Sequence, residues 1–157
     1  MIIVDTREQK NQFILEYFEA HGIEYRINKL DVGDYSLEGS PHFSIDRKAN
    51  VQELVGNMIH DHERLSKEIQ RAIDNKVDLV FLIEDENIKC LDDLIDWHNY
   101  RRKWSPKATE GEQLLKCINT MIDHRYNNYD YSLRFLFTDH EHYASVLVRL
   151  LEAHKDE

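Results

Sequence analysis

The chain has 157 residues, 41% hydrophobic and 32% charged, with only five Gly and two Pro; this suffices for one domain with a core and excludes disordered and fibrous classes. No apolar run approaches the ~18 residues of a membrane span, and Met1-Ile2-Ile3-Val4-Asp5 reads as a strand without the basic and apolar regions of a secretion signal. The formal net charge of −10 argues against tight nonspecific binding to nucleic acid and predicts weak binding without metal, although carboxylates that hold a metal count as negative in that sum. Cys90 and Cys117 are too few and too far apart for a metal cluster, and they suit reduced, buried thiols in a cytoplasmic protein.

Residues 2–5 form an apolar strand ending in Asp5. Thr6 and Gln9 have capping-box spacing, which predicts a helix from about Arg7. Phe13, Ile14, Tyr17 and Phe18 give that helix an apolar stripe, and Gly22 is its stop. Ile23 to Leu30 reads as a second strand, and Asp31-Val32-Gly33 leads into a hairpin.

The hairpin runs from Gly33 to Lys48 around Gly39-Ser40-Pro41. A turn symmetric about Ser40 pairs Tyr35 with Ile45 and Leu37 with Phe43 on one face. Asp34 then opposes Asp46 on the other face, with β-carbons roughly 4.5–5.5 Å apart, and Lys48 shares that face. Opposed carboxylates repel, which is tolerable where a cation sits between them, and Mg²⁺ is usually held by one or two carboxylates plus water and phosphate oxygens. The same pattern also fits a solvated hairpin face, and pairing alone leaves both readings open.

Asn50 and Glu53 repeat the capping spacing. Val51, Leu54, Val55, Met58, Ile59, Leu65, Ile69, Ala72 and Ile73 then recur at helical spacing, as one long helix or two with a break near His60-Asp61-His62. Val77 to Ile83 is nearly unbroken apolar, as in a parallel strand buried on both faces. Asn87 to Trp97 suits a short helix. Helical spacing returns at Leu114, Leu115, Ile118, Met121 and Ile122, and Ser132 to Phe137 reads as a further strand. Thr138 and Glu141 cap a last helix with Ala144, Leu147, Val148 and Leu151. The order predicts an α/β domain with a mixed sheet covered by helices on both faces.

Asp46-Arg47-Lys48 has the form acid-X-Lys. In a metal-dependent nuclease the acid binds the ion and the lysine orients water or stabilises developing charge. The tripeptide is common, and its weight comes from Asp34 across the hairpin and Asp5 at another strand end. Asp5 also reads as a turn residue, Arg7 and Glu8 as an ordinary first-turn pair, and Glu84 as a strand exit or a further acid. Arg101, Arg102, Lys103 and Lys107, interleaved with Tyr100 and Trp104, are the best candidates for nucleic-acid contact, through phosphates and stacked bases. The competing reading tucks Trp104 into the core. Arg64, Lys67 and Arg71 read as a solvated helix face, and the pairs His60/His62 and His140/His142 as surface residues.

Three motifs in order, Val4-Asp5-Thr6-Arg7-Glu8, Gly33-Asp34-Tyr35 and Ile45-Asp46-Arg47-Lys48, resemble the V-D-x-R-E, G-D and E-R-K pattern of XPF-type excision-repair endonucleases. Gln52 to Met58, Arg64, Ser105-Pro106-Lys107-Ala108 and Arg125-Tyr126-Asn127 resemble small single-domain members from bacteria and phages. The resemblance implies a restriction-endonuclease-like three-layer fold with a central mixed sheet. It also implies Mg²⁺- or Mn²⁺-dependent phosphodiester hydrolysis. Asp34 and Asp46 would be metal ligands and Lys48 the catalytic lysine. Asp5 would be an additional acid, with Arg7, Glu8 and Arg47 in support.

Residues 1–157 are expected to be a single nuclease domain without a helix-hairpin-helix module. The expected partner is branched, flapped or nicked DNA in a bacterial or phage-infected cytoplasm, during DNA repair or recombination, with a homodimer allowed. Two departures stand out: Asp46 replaces the family's Glu, and Glu53 comes one residue late as the acid after the lysine. The alternative is a domain that keeps the fold as a nucleic-acid-binding or adaptor module without catalysis.

Overall fold

The apolar run after Val77 becomes the inner strand of the molecule. In the computed structural model, which describes residues 1–129 and 133–155 and the side chains of 1–124 and 133–155, Asp78–Glu84 lies parallel between Ser40–Lys48 and Leu133–Thr138. Alternate residues of such a strand point to opposite faces, and here both faces are covered. Leu79, Phe81 and Ile83 enter one core, and Val80 and Leu82 the other.

The sheet has six strands: β1 (Ile2–Val4), β2 (Tyr25–Ile27), β3 (Tyr35–Leu37), β4 (Ser40–Lys48), β5 (Asp78–Glu84) and β6 (Leu133–Thr138), in the order β2-β1-β3-β4-β5-β6. β1 is parallel to β2 and antiparallel to β3, and β3 is antiparallel to β4, so the sheet is mixed as expected. Helices α1 (Gln12–Ala20) and α5 (His140–Ala153) cover one face. The other face carries α2 (Val51–Val55), a π-helical turn (Gly56–His60), α3 (His62–Asp74) and α4 (Gly111–Tyr129). No helix among the described residues is long and apolar enough to cross a membrane.

Several local expectations change. No helix starts at Arg7. The Asp5 carboxylate accepts from the Arg7 N–H at 3.2 Å and folds the chain into a turn, with Lys10 at φ 55°, so α1 begins at Gln12. β2 keeps only three residues of the 23–30 stretch. Tyr35 pairs with Ile45 as predicted, but the register then shifts and Leu37 pairs with Ser40, not Phe43. A turn at Glu38-Gly39, with Gly39 at φ 89°, produces that shift.

Asn50 does cap α2, accepting from Glu53 N at 2.8 Å, while the Glu53 carboxylate accepts from Ala49 N at 2.7 Å. The helical stretch breaks at Asp61, as one of the two readings had it. The short helix expected over 87–97 is a 3₁₀ turn at Leu91–Asp96. Asp139, not Thr138, caps α5, accepting from His142 N at 2.9 Å. Cys117 is half-buried, but Cys90 is exposed and has no core role. Ser132 and the side chains of Arg125, Tyr126 and Asn127 lie outside the described residues.

Candidate active site

Strand β4 passes between two cores, and its alternation sorts the motif residues. Phe43 and Ile45 point into the α1/α5 core. Asp46 and Lys48 therefore point to the opposite side, toward α2 and α3, where the Lys48 ammonium lies 5.5 Å from the Phe81 ring centroid. Asp34 precedes the Tyr35–Ile45 pair and Asp46 follows it, so the two acids stand across from each other. Asp34 N–H donates to Ile45 O at 2.8 Å, and its Oδ2 accepts from Arg47 N at 2.8 Å. Asp5 N–H donates to Asp34 O at 2.8 Å, which ties the end of β1 to the same point.

Lys48 Nζ stands 2.9 Å from Asp46 Oδ1, and both side chains are buried. From α3, Glu68 reaches Asp46 through a side-chain hydrogen bond. These residues line a cavity of about 390 Å³ together with Asp5, Arg7, Glu8, Glu53, Asn57, Arg64 and Arg71.

The acids are under electrostatic stress. Burial, then the charge of Asp46, pushes Asp34 up to about 8. Burial and the same neighbour push Glu68 up to about 9. Burial alone would lower Lys48, but Asp46 outweighs it and holds the lysine above its ordinary value. Without a cation, then, Asp34 and Glu68 hold protons at neutral pH and Lys48 remains charged. Ionisation of these closely placed acids is opposed by burial and by their mutual charge, and a small divalent ion would relieve both, so their oxygens are a hard donor set that fits such an ion. Among the described residues no three His, Cys, Asp or Glu side chains converge closely enough to hold an ion. Asp34 and Asp46 would thus supply two positions, leaving the others to water and phosphate oxygens.

Glu8 and Arg47 meet at the edge of this cavity, toward α1. Arg47 Nε donates to Glu8 Oε2 at 2.7 Å, Tyr35 OH donates to the same oxygen at 2.6 Å, and Arg47 Nη2 reaches Gln9 O at 2.7 Å. The guanidinium lies 6.0 Å from the Phe13 ring centroid, on the α1 side. Its side chain therefore braces β4 while its backbone N–H holds Asp34. Asp5 is also committed: Oδ1 accepts from Leu30 N at 2.8 Å and Oδ2 from Arg7 Nε at 2.9 Å. Burial would raise Asp5, but these hydrogen bonds hold it below the usual carboxylate range. Asp5 thus shapes the wall of the cavity and fixes Arg7 at its rim.

The basic stretch is separate from this cavity. Tyr100–Lys103 is a 3₁₀ turn. Arg102 is braced inside it, donating to Ala108 O at 2.7 Å and pairing with Glu110 at 3.2 Å. Arg101, Lys103 and Lys107 are exposed. Trp104 is 66% exposed, which removes the reading that tucks it into the core. Glu84 does not line the acid cavity and pairs with His140 at 3.0 Å. His60, His62, His140 and His142 are surface residues as expected.

Glu68 escaped the sequence reading, which treated its neighbours Arg64, Lys67 and Arg71 as a solvated face. Its position was informative: three residues after Leu65 and four before Ala72, both buried, it sits on the edge of the apolar stripe.

A family model for the ERCC4 domain matches residues 4–149. Two solved structures share the fold. XPF from Aeropyrum pernix has a TM-score of 0.62 at 17% identity, with 99% of this chain and 67% of that one covered. XPF from Aeropyrum pernix in complex with DNA has a TM-score of 0.61 at 17% identity, with 96% of this chain and 62% of that one covered. This chain thus spans about two thirds of the length of each. No curated protein matches the sequence. The likeness identifies the three-layer arrangement as the restriction-endonuclease-like α/β fold of an XPF nuclease.

Proposed function

Because the chain belongs to the ERCC4-domain family, we propose that residues 1–157 are a divalent-metal-dependent endodeoxyribonuclease domain. It uses Mg²⁺ or Mn²⁺ and cuts branched, flapped or nicked DNA in repair or recombination. The observation that carries this reading is the convergence of Asp34, Asp46 and Lys48 in one acid-lined cavity open to solvent.

A bound divalent cation supplies polarisation of the phosphate and a lowered pKa for the attacking water. The protein does the rest. Asp34 and Asp46 hold the cation, and the Arg47 N–H keeps Asp34 oriented. The Lys48 ammonium offers N–H donors to the attacking water or to the charge that develops on the phosphate. Arg7, Arg64 and Arg71, at the mouth of the cavity, are placed to hold neighbouring phosphates. Asp46 in place of Glu reaches one methylene less far into the cavity that it lines with Asp34.

The inactive-domain alternative is disfavoured because both acids and the lysine still converge. The test is cleavage of flap, splayed and plain duplex DNA with Mg²⁺ or Mn²⁺. Wild type is expected to cut, and Asp34→Asn and Asp46→Asn to lose at least about a hundredfold in rate. Equal cleavage by all three contradicts the site assignment, and no cleavage by wild type supports the inactive domain.

A further inference from the structure

The turn after Asn99 presents two aromatic rings to solvent beside unpaired cations. Tyr100 is 50% exposed and Trp104 66%. Their ring centroids are 5.7 Å apart at 70°. Singly exposed aromatics are ordinary, but two in contact form a contiguous apolar patch, the kind that marks an interaction site.

This turn is not a loose loop. Asn99, buried to 1% exposure, accepts from Arg101 N at 3.0 Å and donates from Nδ2 to Thr109 O at 2.8 Å. Arg102 ties the same loop to Ala108 and Glu110. Gly111 N–H donates to Trp97 O at 3.2 Å, and a β-carbon at Gly111 would collide with Leu94 O. The rings are therefore held out by a closed scaffold.

Charge and position indicate the occupant. Arg101, Lys103 and Lys107 are exposed, and none has an ion-pair or side-chain hydrogen-bond partner among the described residues. In a chain of net charge −10, these free cations form a local site for phosphate. Tyr100 and Arg101 line a cleft with Asn50, Gln52, Glu53 and Trp97. Glu53 also lines the acid cavity, so the cleft adjoins it.

We propose that Tyr100 and Trp104 form a stacking platform for unpaired nucleotides of a DNA strand running along the Glu53 cleft to or from the acid cavity. Arg101, Lys103 and Lys107 hold the phosphates of that strand. This rests on the DNA reading above and refines it: a strand must leave the duplex to reach these rings. Duplex bases are stacked on one another and offer no free face, whereas each unpaired base does. Arg102, braced inside the turn, supports the platform without contacting the strand.

The experiment measures binding of the full chain, without divalent metal and at about 50 mM salt, where phosphate contacts are not screened away. The probes are labelled blunt duplex, the same duplex with a short unpaired tail, and single-stranded oligothymidine. Wild type is expected to prefer the tailed over the blunt duplex. Trp104→Ala is expected to lose about five- to a hundredfold on tailed and single-stranded DNA with blunt binding unchanged, and Trp104→Phe to keep most of the affinity. Oligothymidine is expected to quench the tryptophan emission of wild type by a larger fraction than that of Trp104→Phe, in which only Trp97, at the edge of the cleft, remains. Trp104 is exposed, so these variants are expected to fold.

No preference for a tail in wild type, or equal effects of Trp104→Ala on blunt and tailed DNA, overturns the proposal. Cleavage without a tail preference removes the platform alone. A tail preference without cleavage under any divalent metal removes the nuclease reading alone.

Discussion

Half-buried Asp34 is desolvated and faces the charge of Asp46, which push its value up to about 8 and favour its protonated form near neutral pH. The Arg47 N–H that its Oδ2 accepts would bond an amide oxygen equally well. Asp34→Asn is therefore expected to leave the melting temperature of the metal-free protein at or above that of wild type, while abolishing its rise on adding Mn²⁺. A loss of fold would contradict this assignment. Glu68, pushed up to about 9, behaves as a neutral hydrogen-bonding partner of Asp46. Glu68→Gln keeps a donor there and is expected to change stability at pH 7 by less than about 1 kcal/mol in urea unfolding. A much larger loss would mean that Glu68 is ionised. Arg47 differs because its buried pairing with Glu8 has no substitute. Arg47→Ala leaves an uncompensated charge and is expected to cost about 3–5 kcal/mol.

At the scale of elements, the hairpin depends on Gly33. Its φ of 75° favours glycine, and an added β-carbon would collide with Ser44 Oγ. Gly33→Ala is expected to lower the melting temperature and, by displacing the next residue, Asp34, to reduce metal-dependent cleavage more than Gly22→Ala, where nothing stands within 4 Å. Equal effects of the two would show that the hairpin tolerates the shift. The sequence made β5, the Asn50 cap, the Tyr35–Ile45 pair and the shared face of Asp46 and Lys48 legible, because each follows from local periodicity or a short capping pattern. It misplaced the start of α1 because the side chains of Asp5 and Glu8 are claimed by Arg7, Leu30 and Arg47, contacts invisible to a capping rule. Leu37 shifted register through a turn one residue earlier than symmetry suggested. Glu68 was hidden because charge on a helix reads as solvent-facing until the packing partner is known.

For the whole molecule, the raised acids set the response to pH. Asp34 and Glu68 both have folded values above their unfolded ones, so the stability they contribute is complete below about 4. It is lost as pH rises through about 8 and about 9. The metal-free protein is expected to melt at progressively lower temperature from pH 5 to pH 9, as read by calorimetry. A divalent cation, which needs the ionised acids, is expected to protect most at the alkaline end. A flat profile would contradict the buried acid pair. The account requires above all that Asp34 and Asp46 bind a divalent ion together, and titration calorimetry with Mn²⁺ on wild type, Asp34→Asn and Asp46→Asn measures this most directly. Saturable binding by wild type with proton release, lost in both variants, is the predicted result; no binding by wild type, or undiminished binding by both variants, would contradict it.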